Sequence, residues 1–221
     1  VKDEWARLIS YGLPLVRSTL NNQFRRKKTL KNFLRNTIIT IPGHVSLDRV
    51  NVWFQDEARF GQQNTTSKIW AKKGSRPRMV KQKQFLSTHI FGAVCPATGQ
   101  TEAIIAPYLS KDITKQHLQL ISDATPCGEH AVVIVDRTSW NMGDVAQDIK
   151  NVSVIPLPPY SPELNPVEQV WAWMRDRELS NHTFSDYDDI VEQVSRAWNV
   201  FRSNITNVKH MCFRAWINLI T

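Results

Sequence analysis

The sequence predicts an α/β fold, a mixed sheet flanked by helices and preceded by a basic N-terminal arm. Three observations carry that expectation. Between residues 50 and 200, short apolar runs of strand length alternate with segments of helical periodicity. One run, Ala131-Val132-Val133-Ile134-Val135-Asp136, is apolar at every position but its last, as in a strand buried on both faces of a sheet. A chain of 221 residues with 42% hydrophobic and 22% charged residues is long and apolar enough for one large core.

The elements follow in order. Residues 1–47 read as helix and linker, punctuated by Pro14, Pro42 and Gly43, and are too basic to bury a core of their own. The first strand is Val50-Asn51-Val52-Trp53-Phe54-Gln55-Asp56, an apolar run ending in acids. After a basic, turn-rich excursion, Phe85 to Val94 reads as a strand, Pro96-Ala97-Thr98-Gly99 as a tight turn and Thr101 to Ala106 as its hairpin partner. Helical spacing of Ile113, His117, Leu118 and Ile121 predicts a helix over 111–124. Beyond the strand at 131–136, a short helix through Val145 and Ile149 leads to a strand at 152–157, which Pro158 and Pro159 stop. Asn165 is placed to cap a helix, with Pro166 at its first position, Glu168 completing a capping-box spacing, and Val167, Val170, Trp171 and Met174 as its apolar stripe. Another helix opens near Ser185-Asp186 and runs through Ile190, Val194, Ala197 and Trp198. The expected domains are therefore a basic arm, 1–47, and a sheet-and-helix domain, 48–221.

Several classes are excluded. No apolar run approaches the roughly 18 residues of a membrane span, and the opening Val1-Lys2-Asp3-Glu4-Trp5 lacks the apolar core of a signal peptide. A start at Val1 is expected of a fragment or a processed chain. Cys95, Cys127 and Cys212 are widely separated, so neither a disulfide framework nor a structural zinc site is indicated. A reducing, cytoplasmic setting is the expectation.

Charge is divided unevenly. Residues 1–83 hold eighteen Lys or Arg against five Asp or Glu, and residues 84–221 hold ten against fifteen, so a net +13 faces a net −5. The cations concentrate at Arg25, Arg26, Lys27 and Lys28 and again at Lys68, Lys72, Lys73, Arg76 and Arg78, with no acid between Glu57 and Glu102. A solvated face is the plain reading of a charge run. One of a single sign, with Trp70 inside it, fits a surface that meets phosphates, and Trp70 is the candidate for stacking on a base. Trp53, Trp171, Trp173, Trp198 and Trp216 are expected to pack the interior instead. His89, His117 and His130 are scattered, with no ligand spacing.

Two expected strands end in aspartates, Asp56 and Asp136, and Glu168 stands on the first turn of the helix after the last strand. Carboxylates at the ends of neighbouring strands converge at the edge where open α/β sheets bind ligands. Three converging acids repel one another unless a cation lies among them, and hard oxygen donors suit Mg²⁺ or Mn²⁺. Two such ions, about 3.5–4 Å apart, serve phosphodiester cleavage. Acids at strand ends and helix N-termini also have purely structural uses, and Glu168 equally suits a cap. Glu57 would point to the other face if the strand continued, and Glu163 lies in the Pro-rich turn outside the helix.

The residues then resemble a family. Trp53-Phe54-Gln55-Asp56-Glu57-Ala58-Arg59-Phe60-Gly61, Trp70-Ala71-Lys72-Lys73-Gly74-Ser75-Arg76-Pro77, Phe91-Gly92-Ala93-Val94, and Leu157-Pro158-Pro159-Tyr160-Ser161-Pro162-Glu163-Leu164-Asn165-Pro166-Val167-Glu168-Gln169-Val170-Trp171 follow in order. Together they resemble the catalytic domain of bacterial insertion-sequence transposases of the mariner-like superfamily, the DDE endonucleases, over residues 50–200. The resemblance implies an RNase H-like fold and Asp56, Asp136 and Glu168 as catalytic, metal-binding acids. It implies nicking at element ends and attack of the freed 3′-hydroxyl on double-stranded target DNA, typically at TA. A homodimer on DNA and a nucleoid-associated bacterial location are also implied.

Two features depart from the family pattern. Arg137 follows the second aspartate where a small residue or Asn is usual, and Asn141 stands in place of a His. A guanidinium beside Asp136 can pair with it or hold a phosphate. A catalytically weakened, transposase-derived DNA-binding protein is therefore the alternative, and another RNase H-like nuclease acting on hybrids or junctions is a second. Residues 1–47 are also too few for the helix-turn-helix modules such proteins carry, and suit the tail of such a module plus linker, or replacement sequence.

Overall fold

The longest strand begins where the first apolar run was read and continues five residues past its expected end. In the computed structural model β1 spans Val50–Gly61, β2 Ser87–Val94, β3 Thr101–Ala106, β4 His130–Val135 and β5 Val152–Pro156. The structure describes residues 33, 42–43, 45–63, 70–75, 78, 82–136, 145–159 and 161–214. The chain divides into two compact units, Val1–Thr40 and Ile41–Thr221, and of the first only Phe33 is described. Arg25, Arg26, Lys27, Lys28, Lys68, Arg76, Arg137, Trp140, Asn141 and Trp216 lie outside the described residues.

The strands form one sheet in the order β3-β2-β1-β4-β5. The hairpin strands β3 and β2, and then β2 and β1, pair antiparallel, whereas β1, β4 and β5 run parallel. β4 lies between β1 and β5 and every one of its six residues is buried, as its apolar run requires. β1 has two partners in succession. Its first half, Val50 to Phe54, pairs with β4, and its second half, Phe54 to Gly61, pairs with β2.

Helices cover both faces. α1, Lys111–Ala124, is capped by Ser110, whose Oγ accepts from Ile113 N at 3.2 Å. It buries His117, Leu118 and Ile121. With Trp53, Ala93, Val133 and Val135 they form a core on one side of the sheet. The other side carries α2, Val167–Trp173, which continues through a π-helical turn at Met174–Glu178, and α3, Tyr187–Arg202. A further helix absent from the sequence reading, α4, spans Ile205–Cys212. The helix expected through Val145 and Ile149 is instead a series of turns in its described part, 145–151, closed by Ile149 N donating to Ala146 O. Its apolar residues are buried against the sheet without helical spacing to hold them there.

The stem of the basic loop is fastened to the α2–α3 connection. Gln82 Nε2 donates to Phe184 O at 2.6 Å, Phe184 N donates back to Gln82 Oε1 at 2.7 Å, and Gln62 Nε2 reaches the same carbonyl at 3.2 Å. No helix among the described residues is long and apolar enough to cross a membrane.

Candidate active site

Alternation along β1 assigns its side chains to two faces. Trp53 belongs to the core under α1, so Gln55 and Glu57 share that face. Glu57 therefore points away from Asp56, and Gln55 Nε2 donates to it at 2.9 Å. Val52, Phe54, Asp56, Ala58 and Phe60 face the α2–α3 layer, where Phe60 packs edge-on against Trp171.

Asp56 is not at a strand end, as the sequence reading had it, but mid-strand. The ending that matters is that of β4. Phe54 is level with Ile134, and Asp56 and Asp136 each follow two residues later, Asp136 near enough to raise the Asp56 carboxyl. β1 runs on past this level because β2 takes over as its hydrogen-bonding partner. Asp136 is half-buried, immediately beyond β4.

Glu168 arrives on the first turn of α2, exposed. The geometry that delivers it depends on Asn165, which is 1% exposed. Its Oδ1 accepts from Val167 N at 3.1 Å and so caps the helix, while its Nδ2 donates to the carbonyl of Gln55 at 3.2 Å. One side chain thus pins the start of α2 to β1 beside Asp56. The expected reciprocal capping bond is replaced, since Asn165 N donates to Pro162 O at 2.9 Å and Glu168 is left facing outward. Glu163 sits in the 3₁₀ turn Pro162–Leu164, ahead of the helix.

The three acids come from three elements, and two of them act on the third. Burial pushes the Asp56 carboxyl up to about 7; the hydrogen bond from Trp171 opposes that rise, and Glu168, Asp136 and Glu57 add to it. Burial also raises Asp136 above the usual carboxylate range. Among the described residues, no three His, Cys, Asp or Glu side chains are gathered closely enough to hold one metal ion between them. What fits a hard divalent cation is the donor set, all carboxylate oxygen, together with a desolvated Asp56 whose charge Glu168, Asp136 and Glu57 oppose.

Trp171 is the site residue that the sequence reading assigned to packing alone. It does pack, at 5.8 Å from the Trp198 ring centroid, but its Nε1 donates to Asp56 Oδ2 at 2.9 Å. Its position three residues after Glu168, one turn along the same helix, was the available signal.

Of the expected phosphate contacts, Lys72, Lys73 and Arg78 are exposed in the loop between β1 and β2, and Trp70 is fully exposed. Lys72 and Lys73 are presented by a turn in which Ser75 N donates to Lys72 O at 2.9 Å and Gly74 takes a positive φ of 85°. His117 is buried under β2 and β3 with Nε2 against the carbonyl of Glu102, and burial holds its imidazole down to about 4.

Comparison with known proteins bears on this arrangement. The family model described as DDE superfamily endonuclease matches residues 51–191. A protein of Sinorhizobium fredii (strain NBRC 101917 / NGR234), named uncharacterized protein y4pE/y4sA, is 41% identical over 128 residues, which are 58% of this chain and 95% of that protein. Among solved structures, the Mos1 transposase paired-end complex with left transposon end aligns with a TM-score of 0.57 at 16% identity, covering 85% of this chain and 58% of that one. The Mos1 mariner paired end complex with Mn aligns with a TM-score of 0.55 at 15% identity, covering 89% and 62%. The chain thus spans less than two thirds of the Mos1 chain, and the likeness shows the fold: an RNase H-like mixed sheet flanked by helices.

Proposed function

This chain belongs to the DDE superfamily endonucleases, and from that membership we propose that it is the catalytic part of a mariner-like transposase that cuts and joins double-stranded DNA. The observation that supports the reading is the buried Asp56 carboxyl, on which Glu168 and Asp136, from two other elements, both act.

In this reading Asp56, Asp136 and Glu168 are the catalytic acids and hold Mg²⁺ or Mn²⁺, as a pair of ions. Such ions supply activation of the attacking oxygen and stabilisation of the leaving one. Gathering the three carboxylates requires rotation of side chains from their described arrangement, which Glu168, exposed on its helix, can make. The protein frame does the rest. β1 and β4, paired as far as Phe54 and Ile134, bring the two aspartates near each other, and Asn165 ties the start of the glutamate's helix to β1. Lys68, Lys72, Lys73, Arg76 and Arg78 contact backbone phosphates, with Arg25, Arg26, Lys27 and Lys28 adding to the same electrostatic attraction. Those contacts position the duplex without reading its sequence. Trp70 stacks on a base exposed at the cleaved end. One of the Mos1 structures is a paired-end complex with a left transposon end, which supports DNA ends as the substrate; in this reading the chain works on them as a homodimer.

The test is strand nicking of supercoiled DNA with Mn²⁺. Asp56→Asn is expected to abolish nicking while DNA affinity stays unchanged. Undiminished nicking by that variant would overturn the assignment.

A further inference from the structure

We infer that Trp171 is a positioning residue for the metal-binding carboxylate, its indole N–H fixing the rotamer of Asp56, and that Gly92 is glycine so that this indole can reach. The inference rests on the preceding reading of Asp56 as a metal ligand.

Three features of the structure carry it. Trp171 is 1% exposed and Asp56 7%, so no water competes freely for the 2.9 Å bond between Nε1 and Oδ2. The bond occupies one carboxylate oxygen from the helix side. A carboxylate held at one oxygen offers the other in a fixed direction, and groups that orient a ligand in this way govern metal affinity.

Second, the strand partner of Asp56 on β2 is Gly92. A Cβ at that position would lie 2.5 Å from Trp171 Cη2 and 2.9 Å from Trp198 Cη2, inside any real carbon contact. The missing side chain is thus the space into which the indole pair fits, and any larger residue displaces the ring that holds Asp56.

Third, a neighbouring ring supplies an internal comparison. Trp198 packs against Trp171 at 5.8 Å and is also buried, yet its Nε1 has no hydrogen-bond partner among the described residues. Trp171 and Trp198 share size, packing and surroundings. They differ in that only one of them holds the carboxylate.

The decisive comparison is Trp171→Phe against Trp198→Phe, each titrated calorimetrically with Mn²⁺ and assayed separately for DNA affinity in metal-free buffer. Both lose an indole of the same layer, but only Trp171→Phe loses the bond. Trp171→Phe is expected to weaken Mn²⁺ binding about tenfold or more, with Trp198→Phe within about twofold of the parent and DNA affinity unchanged in both. Equal Mn²⁺ affinity in the two variants, whether both unchanged or both weakened alike, overturns the inference. Wild-type protein that takes up no Mn²⁺ overturns the metal reading beneath it, a different outcome. Should Trp171→Phe fail to fold by circular dichroism, the wild type decides the matter. Mg²⁺ is expected to shift the indole Hε1 resonance of Trp171 and leave that of Trp198 in place, and a stationary Trp171 resonance overturns the inference.

Discussion

Trp171 and Asp56, 115 residues apart in the chain, meet in a buried hydrogen bond of 2.9 Å between indole Nε1 and carboxylate Oδ2. The bond joins the helix that carries Glu168 to the strand that carries Asp56. It favours the charged form of a carboxyl that burial otherwise drives toward the neutral one. Packing and electrostatics are thus served by one side chain, and the consequences of disturbing either can be measured.

Cation binding should appear as stability. A ligand that binds only the folded state adds RT ln(1 + [L]/Kd), about 2.7 kcal/mol at a hundredfold excess over Kd. Mn²⁺ at saturating concentration is expected to raise the melting temperature of the wild type and to leave Asp56→Asn nearly unmoved. Differential scanning calorimetry reads both, and equal shifts in the two proteins would count against Asp56 as a ligand.

Substitution at Gly92 should cost stability as well as metal affinity. The added methyl of Gly92→Ala meets two indoles in a filled layer, and overpacking of this kind costs about 1–3 kcal/mol. Urea unfolding of that variant is expected to show a lowered midpoint. An unchanged midpoint would mean the ring pair moves aside freely.

Asn165→Ala removes a helix cap and a strand-to-helix tie in one step. Loss of a cap alone costs about 0.5–2 kcal/mol. The variant is expected to lose stability on that scale by urea denaturation and, because α2 is no longer pinned beside Asp56, to lose nicking activity by more than its stability explains.

DNA affinity should be strongly dependent on salt and nearly indifferent to sequence. Each phosphate contact removed lowers the slope of log K against log [salt] by about 0.9. Replacing Lys72, Lys73 and Arg78 together by Gln is expected to reduce that slope by about 2–3, measured by fluorescence anisotropy on two unrelated duplexes. Trp70→Ala is expected to weaken binding to DNA with an unpaired end by about 1–3 kcal/mol and to leave blunt duplex binding nearly intact.

His117 should make folding sensitive to acid. Its imidazole is held at about 4 in the folded protein, below the usual 6.5, so between those values the unfolded chain binds the extra proton. Its contribution to stability is complete above pH 6.5 and is lost as the pH falls toward 4, by up to about 3 kcal/mol. Asp56, raised to about 7, acts in the opposite sense over an overlapping window, so the quantity to measure is a difference. The urea midpoint of the wild type relative to His117→Gln is expected to fall between pH 6.5 and 4.5; a parallel pair of pH curves would exclude His117 as the cause.

Much of this protein is legible in its residues. The apolar run at 131–135 is of the type buried on both faces of a sheet, and the hairpin around Pro96 to Gly99 follows from turn chemistry. Asn165 was placed as a cap and does cap α2, because its short amide can reach the backbone two residues on. Local chemistry decides such features. Continuation of β1 past Asp56 was not legible, since nothing in Glu57-Ala58-Arg59-Phe60 says that β2 will pair with it. The segment at 145–151 was read as helix because Val145 and Ile149 are four apart, yet burial against the sheet is satisfied by turns.

The sequence by itself determined the alternation of strands and helices, the three carboxylates, the glycine at 92 and the basic charge of the first 83 residues, because each is a matter of composition, period or motif. Only the tertiary structure decided which acids share a face and which indole reaches one of them. Face is set by strand register, and reach by the packing of a helix against a strand more than a hundred residues away; both are relations between segments that no local pattern encodes.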